Sequence, residues 1–134
     1  MPTVFTWKIR VYYEDTDTGG IVYYANYLKF FERARTEWLR ALGVDQHELL
    51  AQHGAMFVVK HAGIDYHAPA KLDDVITLTL SIEKLGRASI QFAQQACCGA
   101  ILLASARVKA GCVDRATLKP RSLPDAVAVK MRAA

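Results

Sequence analysis

Apolar residues change their spacing twice along this chain, and each change marks an element. Between Phe5 and Tyr13, Trp7, Ile9 and Val11 alternate with Thr6, Lys8 and Arg10. That two-residue period predicts a strand with one buried face. The Asp-Thr-Asp-Thr-Gly-Gly segment from Asp15 to Gly20 breaks it. From about Asn26 to Leu42 the period lengthens. Tyr27, Phe31, Ala34, Trp38 and Leu42 recur at spacings of three and four, and Leu28 and Leu39 widen the stripe. Lys29, Glu32, Arg33, Thr36, Glu37 and Arg40 fill the other side. This predicts an amphipathic helix of about four to five turns, with Asn26 as its cap and Gly43 as its stop. On the wet side, Glu32–Thr36 and Arg33–Glu37 lie one turn apart, and only the second pair can form a salt bridge.

A second, shorter helix is predicted from Asp45 to His53. Asp45 is the N-cap, Glu48 the capping-box partner and Gly54 the stop. The period then returns to two. Met56 to Tyr66 is an apolar, β-branched run, turned by Pro69 and Lys71-Leu72-Asp73-Asp74. In Val75 to Leu85, Ile76, Leu78, Leu80 and Ile82 alternate with Thr77, Thr79, Ser81 and Glu83. Ser89 to Cys98 and Ile101 to Val113 follow, with turns at Gly86-Arg87 and Gly99. The tail, with Pro120 and Pro124, reads as the least structured part. Strand, long helix, short helix and four closely connected strands give an α+β class with antiparallel neighbours. One helix wrapped by a curved sheet buries both apolar faces in a shared core.

A length of 134 residues suits one domain over 1–134. The 52% hydrophobic and 22% charged content excludes a disordered chain. No apolar run nears the ~18 residues of a membrane-spanning helix, and the start lacks a signal peptide's order. The expectation is a cytoplasmic protein with no integral membrane segment. Cys97, Cys98 and Cys112 form no disulfide framework and no metal-ligand spacing, so they read as free, mostly buried thiols.

The net charge of +4 is concentrated late, at Lys109, Arg115, Lys119, Arg121, Lys130 and Arg132. Such a face suits a phosphate-bearing partner as well as plain solvent. Without basic runs interleaved with aromatics, nucleic acid is not indicated.

The chain contains no Gly-x-Ser-x-Gly elbow, nucleotide-binding glycine loop or His-Glu-x-x-His. His47, His53, His61 and His67 show no ligand spacing and read as surface or structural residues. The acidic loop between strand and helix is where the chemistry concentrates. Asp15 and Asp17 lie beside a helix N-terminus, whose free N–H groups and dipole stabilise an oxyanion as well as a carboxylate. A carboxylate attacks an acyl carbon or activates water. Gly19 and Gly20 allow the backbone to approach a bound substrate. Spacing alone leaves Asp15 and Asp17 equal candidates, and turn capping an equal alternative to catalysis.

The run from Tyr13 to Tyr27, followed by Phe31-Glu32-Arg33-Ala34-Arg35-Thr36-Glu37, resembles the 4-hydroxybenzoyl-CoA thioesterase family of hotdog-fold proteins. The nearest resemblance is to its branch of acyl-CoA thioesterases associated with the Tol–Pal system. It extends through Tyr66-His67-Ala68-Pro69-Ala70 and Lys119-Pro120-Arg121-Ser122-Leu123-Pro124, and so covers nearly the whole chain.

The resemblance implies a hotdog fold, a curved antiparallel sheet around one long central helix. It implies edge-to-edge homodimers, often paired into homotetramers, with active sites at the dimer interface. The family's catalytic carboxylate falls on Asp17, as nucleophile or general base, and its oxyanion-binding backbone N–H on Tyr24. Many members of the Tol–Pal-associated branch have His at Tyr24; the 4-hydroxybenzoyl-CoA branch has Tyr. Lys84, Arg87, Arg115, Lys119 and Arg121 are candidates to hold coenzyme A, which is part of the substrate. No metal or separate cofactor is implied. The implied partner is an acyl-CoA, with an acyl carrier protein as a second candidate. Two alternatives remain: a non-catalytic module binding acyl-CoA or an acyl carrier protein, and a hotdog hydratase or dehydratase.

Overall fold

The computed structural model describes residues 4–134. The first strand, β1, spans Phe5–Arg10, shorter than the sequence predicts. Val11 still bonds to the next segment, its N–H donating to Asp74 O at 2.9 Å. The chain then winds into a 3-10 turn at Tyr13–Asp15, because the Asp15 carboxylate accepts from Tyr12 N at 2.8 Å and closes the backbone on itself. Trp7, placed on the buried face by its alternation, is 39% exposed; it stacks on Phe5 with 6.5 Å between ring centres.

Helix α1 runs Asn26–Ala41. Tyr27, Phe31, Ala34, Trp38 and Leu39 are buried as the stripe predicts, and Phe30 joins them. Leu28 is 49% exposed, so the stripe extends less far on that side than its pattern suggests. Asn26 does not cap the helix. Its side-chain amide instead donates to Asp15 O at 2.8 Å, tying the helix start to the acidic loop. The predicted Arg33–Glu37 bridge is replaced by Arg40–Glu37 at 2.6 Å, one residue spacing tighter. Helix α2, Gln46–His53, has Asp45 as N-cap, accepting from His47 N and Glu48 N. Among the described residues no reciprocal bond from the Glu48 side chain completes the box.

The strands are β2 (Ala55–Tyr66), β3 (Val75–Leu85), β4 (Ser89–Cys98) and β5 (Ile101–Asp114). They form one sheet of five strands in the order β1-β3-β4-β5-β2, every pair antiparallel. The register shifts at Val59/His61, Ile82/Lys84 and Ala96/Cys97. Such bulges bend strands and increase their twist, which lets the sheet curl around α1 without closing.

The inward residues Ile76, Leu78 and Leu80 of β3, Ile90, Phe92 and Ala96 of β4, and Val108 and Cys112 of β5 are buried. One cluster gathers around Tyr27, Phe30, Phe31 and Ala34, and the other around Trp38 and Leu39. Cys112 is the buried thiol; Cys97 and Cys98 are half-exposed, and all three are free.

The tail is more ordered than the sequence suggests. After Pro124 it forms a third helix, α3 (Asp125–Ala133). Val127, Ala128 and Met131 close the second cluster. Pro124 is the residue before the first helical turn, where a missing N–H costs nothing. Among the described residues no helix is long and apolar enough to cross a membrane.

Candidate active site

The acidic loop folds as a small hairpin. Thr16 bridges to Val22, Asp17 N donates to Ile21 O at 2.9 Å, and Gly20 N donates to Asp17 O at 3.0 Å. Gly20 has φ of +83°, a conformation that favours glycine. Ile21 bridges onward to Lys71, and Val22 N donates to Ala70 O at 2.8 Å, so the hairpin is tied to the segment before β3.

The loop's aspartates have different surroundings. Asp15 is buried, with 7% exposure. Its carboxylate holds Tyr12 N, while its carbonyl accepts from Tyr23 N at 2.9 Å and from the Asn26 side chain at 2.8 Å. It fastens the strand, the turn and the helix start together. Asp17 is exposed. Its Oδ1 accepts from Gly19 N at 2.9 Å, and its Oδ2 has no protein donor among the described residues. Glu14 is exposed in the 3-10 turn, and its carboxylate makes no hydrogen bond within the described residues.

The start of α1 has an unusual distribution of donors. A helix normally leaves its first N–H groups without partners. Here Asn26 N donates to Tyr23 O at 2.9 Å, Tyr27 N to Tyr24 O at 3.3 Å, and Leu28 N to Ala25 O at 3.1 Å. The unpaired donors are therefore displaced outward. Among the described residues, the N–H groups of Tyr24 and Ala25 meet no acceptor. They lie at the positive end of the helix dipole, and Tyr24 is 60% exposed.

Tyrosines surround this point. The Tyr66 hydroxyl donates to Tyr24 O at 2.9 Å. The Tyr66 ring packs edge-on against Tyr24 at 6.0 Å and Tyr27 at 5.6 Å between centres. Burial, then Tyr66 and Asp74, pushes the Tyr27 hydroxyl up to about 12. Burial also raises Tyr66, with a smaller contribution from Tyr24. Both are neutral phenols at ordinary pH.

Further along α1, the Arg35 guanidinium donates to Gln94 Oε1 at 2.9 Å, and Gln94 Nε2 donates to Phe31 O at 3.0 Å. Burial lowers the Arg35 pKa and Glu32 partly offsets this. Arg35 and Glu32 face a cavity of about 260 Å³ whose other walls include Leu39, Phe57, Ile90 and Phe92.

The basic residues proposed for coenzyme A do not meet Asp17 within one chain. Arg87 Nε donates to Ser122 Oγ at 2.7 Å, and Arg121 donates to His53 O. In the loop that follows β5, Lys119 O accepts from Asp114 N at 2.8 Å and Arg115 N donates to Gly54 O at 2.8 Å. Lys84 lies at the same end of β3. The acidic hairpin is tied to the other end of β3, where Val75 pairs with Arg10. A strand of this length separates the ends by roughly 33 Å. Lys71, which bridges to Ile21, is a basic residue beside the hairpin that the sequence does not single out. Tyr66 was legible only as part of the Tyr-His-Ala-Pro-Ala block. Its partner is 42 positions away, a separation that no local pattern encodes.

The histidines are all exposed; His67 Nε2 lies 3.0 Å from Ser105 Oγ. No group of His, Cys, Asp or Glu among the described residues is arranged to hold a metal ion.

A five-stranded antiparallel sheet curled around one long helix is the hotdog arrangement, and the acidic hairpin with the unpaired helix-start donors that follow it is its candidate active site. The chain belongs to the thioesterase-like superfamily, whose model matches residues 11–131. It is 46% identical to the acyl-CoA thioesterase YbgC of Haemophilus influenzae over 123 residues, covering 92% of this chain and 90% of that protein. Among solved structures, a probable thioesterase from Bartonella henselae matches with a TM-score of 0.85 and 35% identity, over 91% of this chain and 100% of the other. A 1,4-dihydroxy-2-naphthoyl-CoA thioesterase from Synechocystis matches with a TM-score of 0.90 and 25% identity, over 97% and 96% of the two chains.

Proposed function

We propose that this chain hydrolyses acyl-CoA thioesters, with Asp17 driving attack and the Tyr24 N–H holding the carbonyl oxygen. The observation that carries the reading is an exposed carboxylate with one unfilled oxygen in the hairpin, followed directly at the helix start by an N–H with no acceptor. Thioester hydrolysis needs those parts. The Asp17 carboxylate attacks the acyl carbon, or takes a proton from the water that does. Negative charge then develops on the carbonyl oxygen, where a backbone donor at a helix N-terminus stabilises it. The C–S bond then breaks and coenzyme A leaves as its thiol, taking up the proton that the attacking water or the solvent supplies. When water attacks, this step gives the free acid; when Asp17 attacks, it gives a mixed anhydride that a water hydrolyses to the free acid and the regenerated carboxylate. The residues supply acid–base and electrostatic help without a separate cofactor. Asp15 holds the loop, because its carboxylate is already engaged and buried.

The same reading places the active form in a homodimer or homotetramer in the cytoplasm. Strand β2 supports this: it is an outer strand of 12 residues, exposed at Val59 through Gly63 and again at Asp65 and Tyr66. An antiparallel pair of such edges would set the Ala55 end of one β2, where Arg115 N donates to Gly54 O and Arg121 to His53 O, beside the Tyr66 end of the other. Lys84, Arg87, Arg115, Lys119 and Arg121 remain candidates for the coenzyme A phosphates on that basis. An acidic acyl carrier protein suits the same surface.

The test is release of free thiol from a panel of aliphatic and aromatic acyl-CoAs. Asp17→Asn keeps the shape and removes the base, so turnover should fall at least about a hundredfold, the lower range for positioned acid–base groups. Near-normal turnover by a folded Asp17→Asn protein would sink the assignment. Tight acyl-CoA binding without thiol release by the unaltered protein would favour the non-catalytic reading.

A further inference from the structure

We propose that Tyr66 is a positioning residue for the oxyanion site: its hydroxyl, bonded to the Tyr24 carbonyl, fixes the peptide that carries the Ala25 N–H, the free donor next to that of Tyr24 at the start of α1. This rests on the reading of Asp17 and Tyr24 given above and extends it to the sheet.

Two peptide groups flank the Tyr24 α-carbon. The one before it carries the Tyr24 N–H, and its carbonyl, Tyr23 O, is held by Asn26 N at 2.9 Å. The one after it carries the Ala25 N–H, and its carbonyl is Tyr24 O. Within the backbone that carbonyl receives a long bond, 3.3 Å from Tyr27 N. The shorter bond, 2.9 Å, comes from Tyr66. Without it, the second peptide is held chiefly by its weak helical contact and can rock about Tyr24. With it, both planes are fixed, and with them the direction of both unpaired donors. A hydrogen bond accepted at a carbonyl also polarises the N–H of the same peptide group, so Ala25 N–H becomes a stronger donor.

The position of Tyr66 suits this role. It is the last residue of β2 and pairs with Ala104 of β5, so its backbone is fixed in the sheet. Its ring rests edge-on against both Tyr24 and Tyr27, the geometry in which aromatic pairs attract. Tyr27 is 3% exposed and packs in turn on Phe30 and Phe31. The hydroxyl is thus carried by a ring wedged edge-on between two others and is bonded to one carbonyl. The raised pKa of Tyr66 keeps the proton it donates. A preorganised donor is the property that oxyanion stabilisation requires.

Tyr66→Phe tests the proposal, because it keeps the ring contacts and deletes one O–H. One neutral hydrogen bond is worth up to about tenfold in rate. The expected result is a kcat about five- to tenfold lower, with KM and inhibition by free coenzyme A within about twofold of the unaltered protein. A second readout does not depend on turnover. In Asp17→Asn protein loaded with acyl-CoA, the thioester carbonyl stretch should move to higher frequency when Tyr66→Phe is added, because the carbonyl is less polarised. A kcat within twofold together with an unmoved stretch would overturn the proposal. So would a raised KM at unchanged kcat, which would make Tyr66 a substrate contact. Failure of the underlying site reading looks different: Asp17→Asn itself would then turn over normally.

Discussion

A β-carbon at position 19 would lie 3.2 Å from Asp17 Oδ1, closer than most such contacts. Gly19 therefore does more than bend the loop. Its N–H orients the carboxylate, and its lack of a side chain leaves room for it. Gly19→Ala should push the carboxylate out of line, lowering kcat several-fold, whereas the melting temperature should stay within a few degrees because the loop is exposed. Parallel assays of thiol release and thermal unfolding check this; unchanged kcat in the folded variant would remove Gly19 from the site. At this scale the sequence was half legible. Two aspartates beside a helix start were visible, and so was the need for glycine. Their division of labour was not, because Asp15 and Asp17 differ in burial and partners rather than in type or spacing. That difference arises from Tyr12, Tyr23 and Asn26 converging on Asp15 in three dimensions.

Among the elements, α1 joins the site to the core. Its first turn is anchored by Tyr27, buried among Phe30, Phe31 and Tyr66. Because burial raises that hydroxyl to about 12 from the ordinary 10.0, the unfolded chain loses the proton first as pH rises. The stabilisation linked to Tyr27 is complete below about pH 10 and is lost between roughly 10 and 12, by at most about 3 kcal/mol. Urea unfolding across that interval should show the unaltered protein losing stability faster than Tyr27→Phe; parallel curves would mean that the hydroxyl does not titrate against the fold. The long helix and the β3–β5 strands were legible because their periods are long and unbroken. The tail helix α3 was not. Its apolar set, Val127, Ala128 and Met131, is short, and two prolines precede it. The wet face of α1 was legible only in part, since a stripe gives the polar side without saying which neighbours meet: Glu37 pairs with Arg40, not Arg33.

For the molecule as a whole, β2 is a sheet edge that no strand covers among the described residues. An exposed outer strand of 12 residues is a template for another strand, and in this chain it ends at Tyr66, whose hydroxyl bonds the Tyr24 carbonyl. If β2 pairs with β2 of a second copy, its outward N–H groups acquire partners and the strand stiffens. Tyr66 is then held by sheet on both sides. The proposed dimer and the proposed alignment of the Tyr24–Ala25 peptide then become one arrangement at the sheet's margin. The consequence is measurable by dilution. Light scattering should give a multiple of the protomer mass, the outward amides from Val59 to Tyr66 should be protected from hydrogen exchange, and thiol release per chain should fall where dilution yields protomers. Full specific activity in a protomer with freely exchanging β2 amides would separate the edge from the chemistry and leave Tyr66 acting within one chain.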